Sequence, residues 1–308
     1  MRFPSSLLRF FVTGGVLISA SLPAQQPLPA QLELHLQAAE ARVAQASGQN
    51  DGEAWWRLAM LEQDAARYRD AERSYLRAIP LLEAGDKATL ADALDSAGTL
   101  YVETGDYAHA EPLELRALAL REARNDSLGE GVSWMHLAML SLGRHETVAA
   151  VRYAEMARER LVDGKSPASL EASQEEKMTA LIDLSLALCA DNRSARAMGP
   201  LEQAHRLAEA DQGAAGGMPI GWIDFLLGYA RWHMGDTAEA GRLMKSGLAG
   251  MESQLGFGHP TYVAALTEYR NFLEQTGDLA DAAVVRARLA RMAGAVEMAS
   301  AAAEAQAR

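Results

Sequence analysis

The side chains that most often carry out chemistry are scattered through this sequence. Its seven histidines lie at positions 35, 109, 136, 145, 205, 233 and 259. No two of them are four residues apart, as the paired ligands of a helical metal site would be, and no H-E-x-x-H motif is present. The sequence therefore predicts no metal site and no cofactor.

Nucleophiles and phosphate-binding loops give no stronger signal. Cys189 is the only cysteine, so the chain has no internal disulfide, and we interpret this thiol as a small buried apolar residue. There is no G-x-S-x-G elbow, and the glycine-rich segment 213–217 follows no predicted strand. An enzyme is consequently not predicted.

Aromatic residues at helical spacing are the most informative feature for binding. Trp222, Phe225, Tyr229 and Trp232 follow one another at intervals of 3, 4 and 3 residues, which places them on one helix face. Two earlier segments present apolar residues in the same way, Met135 and Met139 and then Ile182 and Leu186. Rigid aromatics often dominate interface energies, so one hypothesis is a patch that binds an apolar or basic peptide. The alternative is that a neighbouring helix or the C-terminal tail covers this stripe as core.

The corresponding face is more polar near the N-terminus. Its residues are Glu53, Trp56, Met60 and Gln63 in one segment and Asp92, Asp95, Thr99 and Glu103 in the next. We therefore expect a surface that is acidic at its N-terminal end and apolar toward its C-terminal half.

The composition favours helices as the elements that position these residues. Apolar residues make up 49% of the 308 residues and aromatics only 6%, with Ala and Leu dominant. Ala and Leu lose little conformational freedom in a helix, and no alternating run predicts a strand. The expected fold class is all-α.

A repeat organises these helices. Alanines at 71, 110, 197, 240 and 282 are separated by 39, 87, 43 and 42 residues. The double interval holds a degenerate copy around Ala138, Gly143 and Ala150, whose first helix we expect to be about two residues short. Small residues such as Gly98 and Gly228 allow a second helix to cross closely, and Gly-Asp pairs supply a turn followed by an acidic helix start. About six helix pairs fit between residues 52 and 291.

This pattern resembles tetratricopeptide repeats, and within them the kinesin-light-chain-like subgroup. The segments YAHAEPL at 107–113 and LGFGHP at 255–260 are typical of that subgroup. The resemblance implies a right-handed superhelical solenoid whose first helices line a concave groove. It also implies a scaffold that binds a protein or peptide through that groove. The alternatives are a structural, self-associating solenoid and, as minor ones, a small-molecule binder or an enzyme.

The ends of the chain suggest export. Residues 1–24 combine Arg2 and Arg9 with a short apolar stretch, as in a cleaved signal peptide, which predicts a periplasmic or secreted protein. This signal and the style of the repeat favour a bacterial origin. Cleavage would change the net charge from −12 to −14, because only these two charged residues are lost. An acidic chain disfavours nucleic acid as a partner, and no later segment predicts a membrane span. Residues 25–51 are expected to form a linker and a capping helix at 31–47, and residues 292–308 an Ala-rich tail.

Overall fold

The computed structural model describes residues 30–45, 51–85, 87–164, 167–210, 220–256 and 259–306. The regular secondary structure of these ranges is α-helix throughout, as the composition predicted. The helices are α1 (Ala30–Ala44), α2 (Gly52–Asp64), α3 (Tyr68–Glu83), α4 (Lys87–Thr104), α5 (Tyr107–Arg124), α6 (Ser127–Gly143), α7 (Thr147–Leu161), α8 (Ala168–Glu171), α9 (Gln174–Ala190), α10 (Ser194–Ala210), α11 (Ile220–His233), α12 (Thr237–Leu255), α13 (Pro260–Thr276) and α14 (Leu279–Gln306).

Twelve of these helices pack as six consecutive pairs. The pairs are α2–α3, α4–α5, α6–α7, α9–α10, α11–α12 and α13–α14, and the second helix of each pair also contacts the first helix of the next. The first helices of units one to five, α2, α4, α6, α9 and α11, additionally touch in sequence. This stacking gives the predicted solenoid, because each pair buries its apolar face only against its neighbours.

The turn inside each pair has one shared backbone feature. A residue with positive φ ends the first helix in all six pairs, at Ala66, Gly105, His145, Asn192, Gly235 and Gly277. An alanine follows five residues later in every pair and is fully buried, at Ala71, Ala110, Ala150, Ala197, Ala240 and Ala282. The alanine repeat of the sequence is therefore the contact at which the second helix meets the first.

The third pair corrects one expectation from the sequence. Its turn is at His145 rather than at Gly143, which lies inside α6 with the ring of Tyr107 against it. Ala138 and His145 are separated by seven residues, the same interval that separates Gly98 from Gly105 and Gly228 from Gly235. The first helix of this unit is therefore not shortened. The glycine was misleading because it serves a close side-chain contact instead of a turn.

Acidic residues cap several of the helix starts. Asp106 and Asp126 accept hydrogen bonds from backbone N–H groups three residues on, at 3.3 and 2.9 Å. Ser173 and Glu176 form a reciprocal capping box at the start of α9. These caps satisfy N–H groups that have no partner within the helix and place negative charge at its positive end.

The ends of the array differ in what they cover. Helix α1 buries Leu36 and Val43 against Ala54 and Leu58 of α2, so it covers the first unit. At the other end, α14 continues through the Ala-rich segment to Gln306. The predicted signal peptide, residues 1–24, lies outside the described residues. Among the helices that are described, none combines the length and apolarity needed to cross a bilayer.

The positive φ of Ala66 generates a stability prediction. A left-handed conformation costs an L-residue with a Cβ roughly 1–2 kcal/mol, and glycine avoids that cost. We expect Ala66→Gly to raise the free energy of unfolding by about 1 kcal/mol in a denaturant titration. The control is Ala65→Gly, since Ala65 has an ordinary φ of −81° and should give no gain. Equal effects of the two substitutions would show that the turn conformation is not the cause.

Candidate functional site

The aromatic stripe of α11 lies in the interior. Trp222, Phe225 and Tyr229 are 4%, 0% and 2% exposed, and only Trp232 is half-buried. Trp222 stacks on Phe225 with ring centroids 5.9 Å apart, and Trp232 meets Phe272 of α13 edge to face at 5.5 Å. The expectation of an open aromatic patch is therefore corrected, since neighbouring side chains cover the stripe as core.

The apolar residues predicted on the two preceding first helices are buried as well. Met135 and Met139 of α6 and Ile182 and Leu186 of α9 all lie inside the packed core. In α9 every residue from 178 to 189 is buried. Cys189 is one of them, and burial raises the pKa of its thiol to about 12. A helix that is apolar on all sides belongs in an interior. The high apolar content of residues 178–189, in which Asp183 is the only charged residue, was the sequence signal that favoured core over groove for α9.

The corresponding helix faces at the N-terminal end of the array, on α2 and α4, are different. The side chains of Glu53 on α2 and Asp92 on α4 are each 50% exposed, while Trp56, Met60 and Thr99 are partly exposed. We call the surface formed by Glu53, Trp56, Met60, Gln63, Asp92, Thr99 and Glu103 the N-terminal acidic face. Its acidic members are at least partly exposed, as expected for this end of the array. The expectation for Asp95 is corrected, because Asp95 is 4% exposed and lies in the interior.

Two contacts join α2 and α4 across this face. Trp56 donates its indole N–H to Oγ of Ser96 at 3.1 Å. Seven residues further along each helix, Gln63 interacts with Glu103, and Tyr75 donates to Oε1 of Gln63 at 2.8 Å. These bonds hold the two helices in one register, so that their acidic and aromatic side chains form a continuous surface.

Glu103 is the member of this face whose charge is most sensitive to its surroundings. Burial raises its pKa to about 7, with a further small increase from the charge of Asp64 and a decrease from the bond with Gln63. The carboxyl group is therefore neutral in acid and becomes charged as the pH passes through neutrality.

Below the N-terminal acidic face, three helices bring four ionisable side chains together. Asp95 of α4, Glu114 and Arg121 of α5, and His136 of α6 form what we call the buried cluster. Nδ1 of His136 is 3.3 Å from Oε2 of Glu114 and 3.7 Å from Oδ1 of Asp95. Arg121 forms an ion pair with Oδ2 of Asp95 and donates to Oγ of Ser133 at 2.7 Å.

Burial and mutual charge set the protonation of this cluster. Burial raises the pKa of Glu114 to about 8 although the charge of His136 opposes it. Burial by itself would lower the pKa of His136, but the charges of Glu114 and Asp95 raise it well above its ordinary value. Burial also opposes ionisation of Asp95, yet His136 and Arg121 together lower the pKa of Asp95. The cluster therefore holds carboxyl groups and cationic groups in close mutual dependence.

Sequence reasoning did not find this cluster, because its members come from three helices. One signal was available. Tyr75, Leu201 and Met244 each follow an anchor alanine by four residues and are buried, and Glu114 occupies the same position in its unit. A carboxylate at a core position predicts a buried polar partner.

The burial of the α11 stripe leads to a testable expectation. Phe225→Ala removes a fully buried ring, so we expect a loss of about 3–5 kcal/mol in the free energy of unfolding without any partner present. Val148→Ala, at a side chain that is 71% exposed, is the control and should change stability by less than about 0.5 kcal/mol. Retained stability of Phe225→Ala, measured by denaturant unfolding, would restore the stripe as a ligand surface.

Comparison with known proteins gives matches only at the level of structure. The sequence matches no protein-family model and no curated protein. The apo form of RapI is similar with a TM-score of 0.66 and 12% identity, over 86% of this chain and 89% of RapI. A Rap protein complexed with Competence and Sporulation Factor has a TM-score of 0.60 and 14% identity, over 96% of this chain and 78% of that protein.

A third similar structure carries the repeat by name. It is a Podosopora anserina protein described as a kinesin light chain, with nearly identical TPR-like repeats. Its TM-score is 0.51 and its identity 16%, over 66% of this chain and 95% of that protein. These likenesses agree with the six helix pairs, the positive-φ residue in the turn of each pair and the buried alanine that follows it. The chain therefore has the fold of a tetratricopeptide-type helical repeat protein.

Proposed function

We propose that this protein is an interaction scaffold whose N-terminal acidic face binds a basic segment of a partner protein. The observation that carries the proposal is the contrast between the two halves of the array. The apolar inner residues of the C-terminal half are buried in the core. Glu53 and Asp92, by contrast, are half exposed while paired with Arg57 and Arg121, and they lie beside the partly exposed Trp56 and Met60.

The chemistry of this face suits a segment that has both cationic and apolar side chains. Carboxylates attract Lys and Arg and exclude acidic segments, which gives specificity and faster association. An indole ring and a thioether beside them offer apolar contact, and the ring also offers a cation–π site. The net charge of −12 also attracts cationic segments over longer distances. One protein of similar fold is complexed with Competence and Sporulation Factor, which supports ligand binding by such an array.

Binding to basic peptides tests this proposal. The probe is a set of fluorescent peptides with alternating Lys and Leu, and the variant combines Glu53→Gln, Asp92→Asn and Glu103→Gln. Each exposed ion pair contributes about 0.2–1 kcal/mol, so we expect the combined variant to bind roughly tenfold more weakly. Added salt should weaken binding to the wild type and reduce the difference.

A matched control separates this face from overall charge. Glu159, Glu171 and Glu202 are exposed and lie outside the N-terminal acidic face. At pH 8, where Glu103 is charged, changing all three to Gln alters the net charge equally and should leave affinity within about twofold. Equal weakening in both triple variants would contradict a specific site.

The pKa of Glu103 adds a pH dependence to the same measurement. Its carboxyl group gains charge as the pH rises through about 7, and Gln63, Asp64, Tyr68 and Tyr75 are the polar groups that interact with it. A cationic peptide should therefore bind more tightly at pH 8 than at pH 6. The single variant Glu103→Gln should lose this increase in affinity between pH 6 and pH 8. If the increase is unchanged, another group is its cause.

Self-association is the competing proposal for the array. Leu279 and Val284 on the last helix are each 66% exposed, which gives the C-terminal end an apolar surface. Sedimentation of the chain alone over a wide concentration range distinguishes the two functions. A single monomeric species favours partner binding, whereas growing polymers favour a structural role.

Export is a further part of the proposal. The arginines, apolar stretch and small residues of segment 1–24 support removal of a leader and a periplasmic or secreted location. Expression of the whole chain in a bacterial host, followed by N-terminal sequencing of the envelope fraction, should give a chain that begins near residue 25. Recovery of the uncleaved chain from the cytosol would contradict export.

A further inference from the structure

The geometry of the buried cluster suits a metal ion as well as an ionic network. Asp95, Glu114 and His136 each offer one ligand atom, and these three atoms all lie within 4.8 Å of one another. The two distances from Nδ1 of His136 are 3.3 and 3.7 Å. A tetrahedral ion with bonds of about 2.0–2.1 Å holds its ligand atoms roughly 3.3 Å apart. The two His136 separations are therefore close to the one that such an ion requires, and the separation between Asp95 and Glu114 is at most 4.8 Å.

The oxygen atoms of this group provide a second and independent observation. Oδ1 of Asp95 and Oε1 of Glu114 are buried, and neither accepts a hydrogen bond from the described part of the chain. The other Asp95 oxygen, Oδ2, is paired with Arg121. The Asp95 side chain is only 6% exposed and that of Glu114 is fully buried. Buried oxygens are rarely left in this state, and an ion is one of the groups that satisfies them.

Neighbouring residues fix the orientation of both carboxylates. Arg121 pairs with Oδ2 of Asp95, so that the other oxygen, Oδ1, is the one nearer to His136. Gly98 gives Glu114 its space, because a Cβ at Gly98 would lie 2.3 Å from Oε1 of Glu114. Outer contacts of this kind hold metal ligands in place. Helices α4, α5 and α6 supply one ligand each, so the backbone of the site is rigid.

We propose that Asp95, Glu114 and His136 form a binding site for a divalent transition-metal ion of the Zn²⁺ type. One imidazole nitrogen with two carboxylate oxygens favours such an ion over Mg²⁺ or Ca²⁺, which prefer oxygen ligands alone. The His136 side chain is 28% exposed and provides the route from solvent. The ion ties the second helix pair to the third, and this role does not depend on the proposed binding of a basic partner.

Zinc binding by the full chain tests the site directly. After treatment with a chelator, the wild-type chain should take up one Zn²⁺ in competition with a chromophoric chelator, and Co²⁺ should give the visible bands of a tetrahedral complex. His136→Gln and Glu114→Gln should each weaken Zn²⁺ binding by more than about tenfold. Zinc should also raise the Tm of the wild type and leave that of His136→Gln unchanged.

His205→Gln is the matched control. His205 is 26% exposed and pairs with Asp224 and Glu209, so it resembles His136 in exposure and charge environment but lies in another unit. This variant should bind Zn²⁺ like the wild type. Circular dichroism verifies that each variant is folded. If His136→Gln does not fold, the zinc affinity of Glu114→Gln and the Co²⁺ spectrum of the wild type test the site instead. Failure of the wild type to bind Zn²⁺, unchanged affinity in Glu114→Gln, or loss of binding in His205→Gln would overturn the proposal.

Discussion

The close approach of two helices at small residues is the constraint on which this structure depends. In every pair, one fully buried alanine lies five residues after a turn residue of left-handed conformation. At Gly228 the approach is so close that a Cβ would lie 2.8 Å from the backbone nitrogen of Met244. The turn fixes where the second helix begins and the small residues fix how near it comes. Repetition of that geometry makes neighbouring pairs stack in the same way.

The stacking of neighbouring pairs determines which first helices keep solvent-exposed side chains. Helices α9 and α11 are each covered by their paired helix and by the neighbouring pairs. As a result, residues 178–189 are buried, and so are residues 221–230 except for Asp224. Their aromatic and aliphatic side chains supply the cohesion of the C-terminal half, which has no disulfide to help it. Helices α2 and α4 have Glu, Asp and Gln at corresponding positions. The polar, N-terminal half is therefore where the first helices keep partly exposed acidic side chains.

The buried cluster follows from the same geometry with a different side chain. Where Met244 fills the space beside Gly228, Glu114 fills the space beside Gly98. A carboxylate in that position must be neutralised, paired or bound to a cation, because an isolated charge is very costly in a packed interior. Asp95 and Arg121 of the same pair and His136 of the next pair surround it. Replacement of one core residue by Glu114 thus converts an apolar contact into a specific polar connection between the second and third pairs.

The sequence by itself determined the local geometry. The helical class, the six pairs, the anchor alanines and the acidic N-terminal face all follow from residue type and spacing, since helix propensity, small-residue contacts and turn conformations act over a few residues. Spacing also showed that Trp222, Phe225, Tyr229 and Trp232 share one helix face. It did not show what lies against that face, because the burial of a stripe depends on residues such as Phe272 that are about 40 positions away. Only the tertiary structure placed the stripe in the core and joined Asp95, Glu114 and His136 from three helices, since their meeting depends on how neighbouring pairs stack.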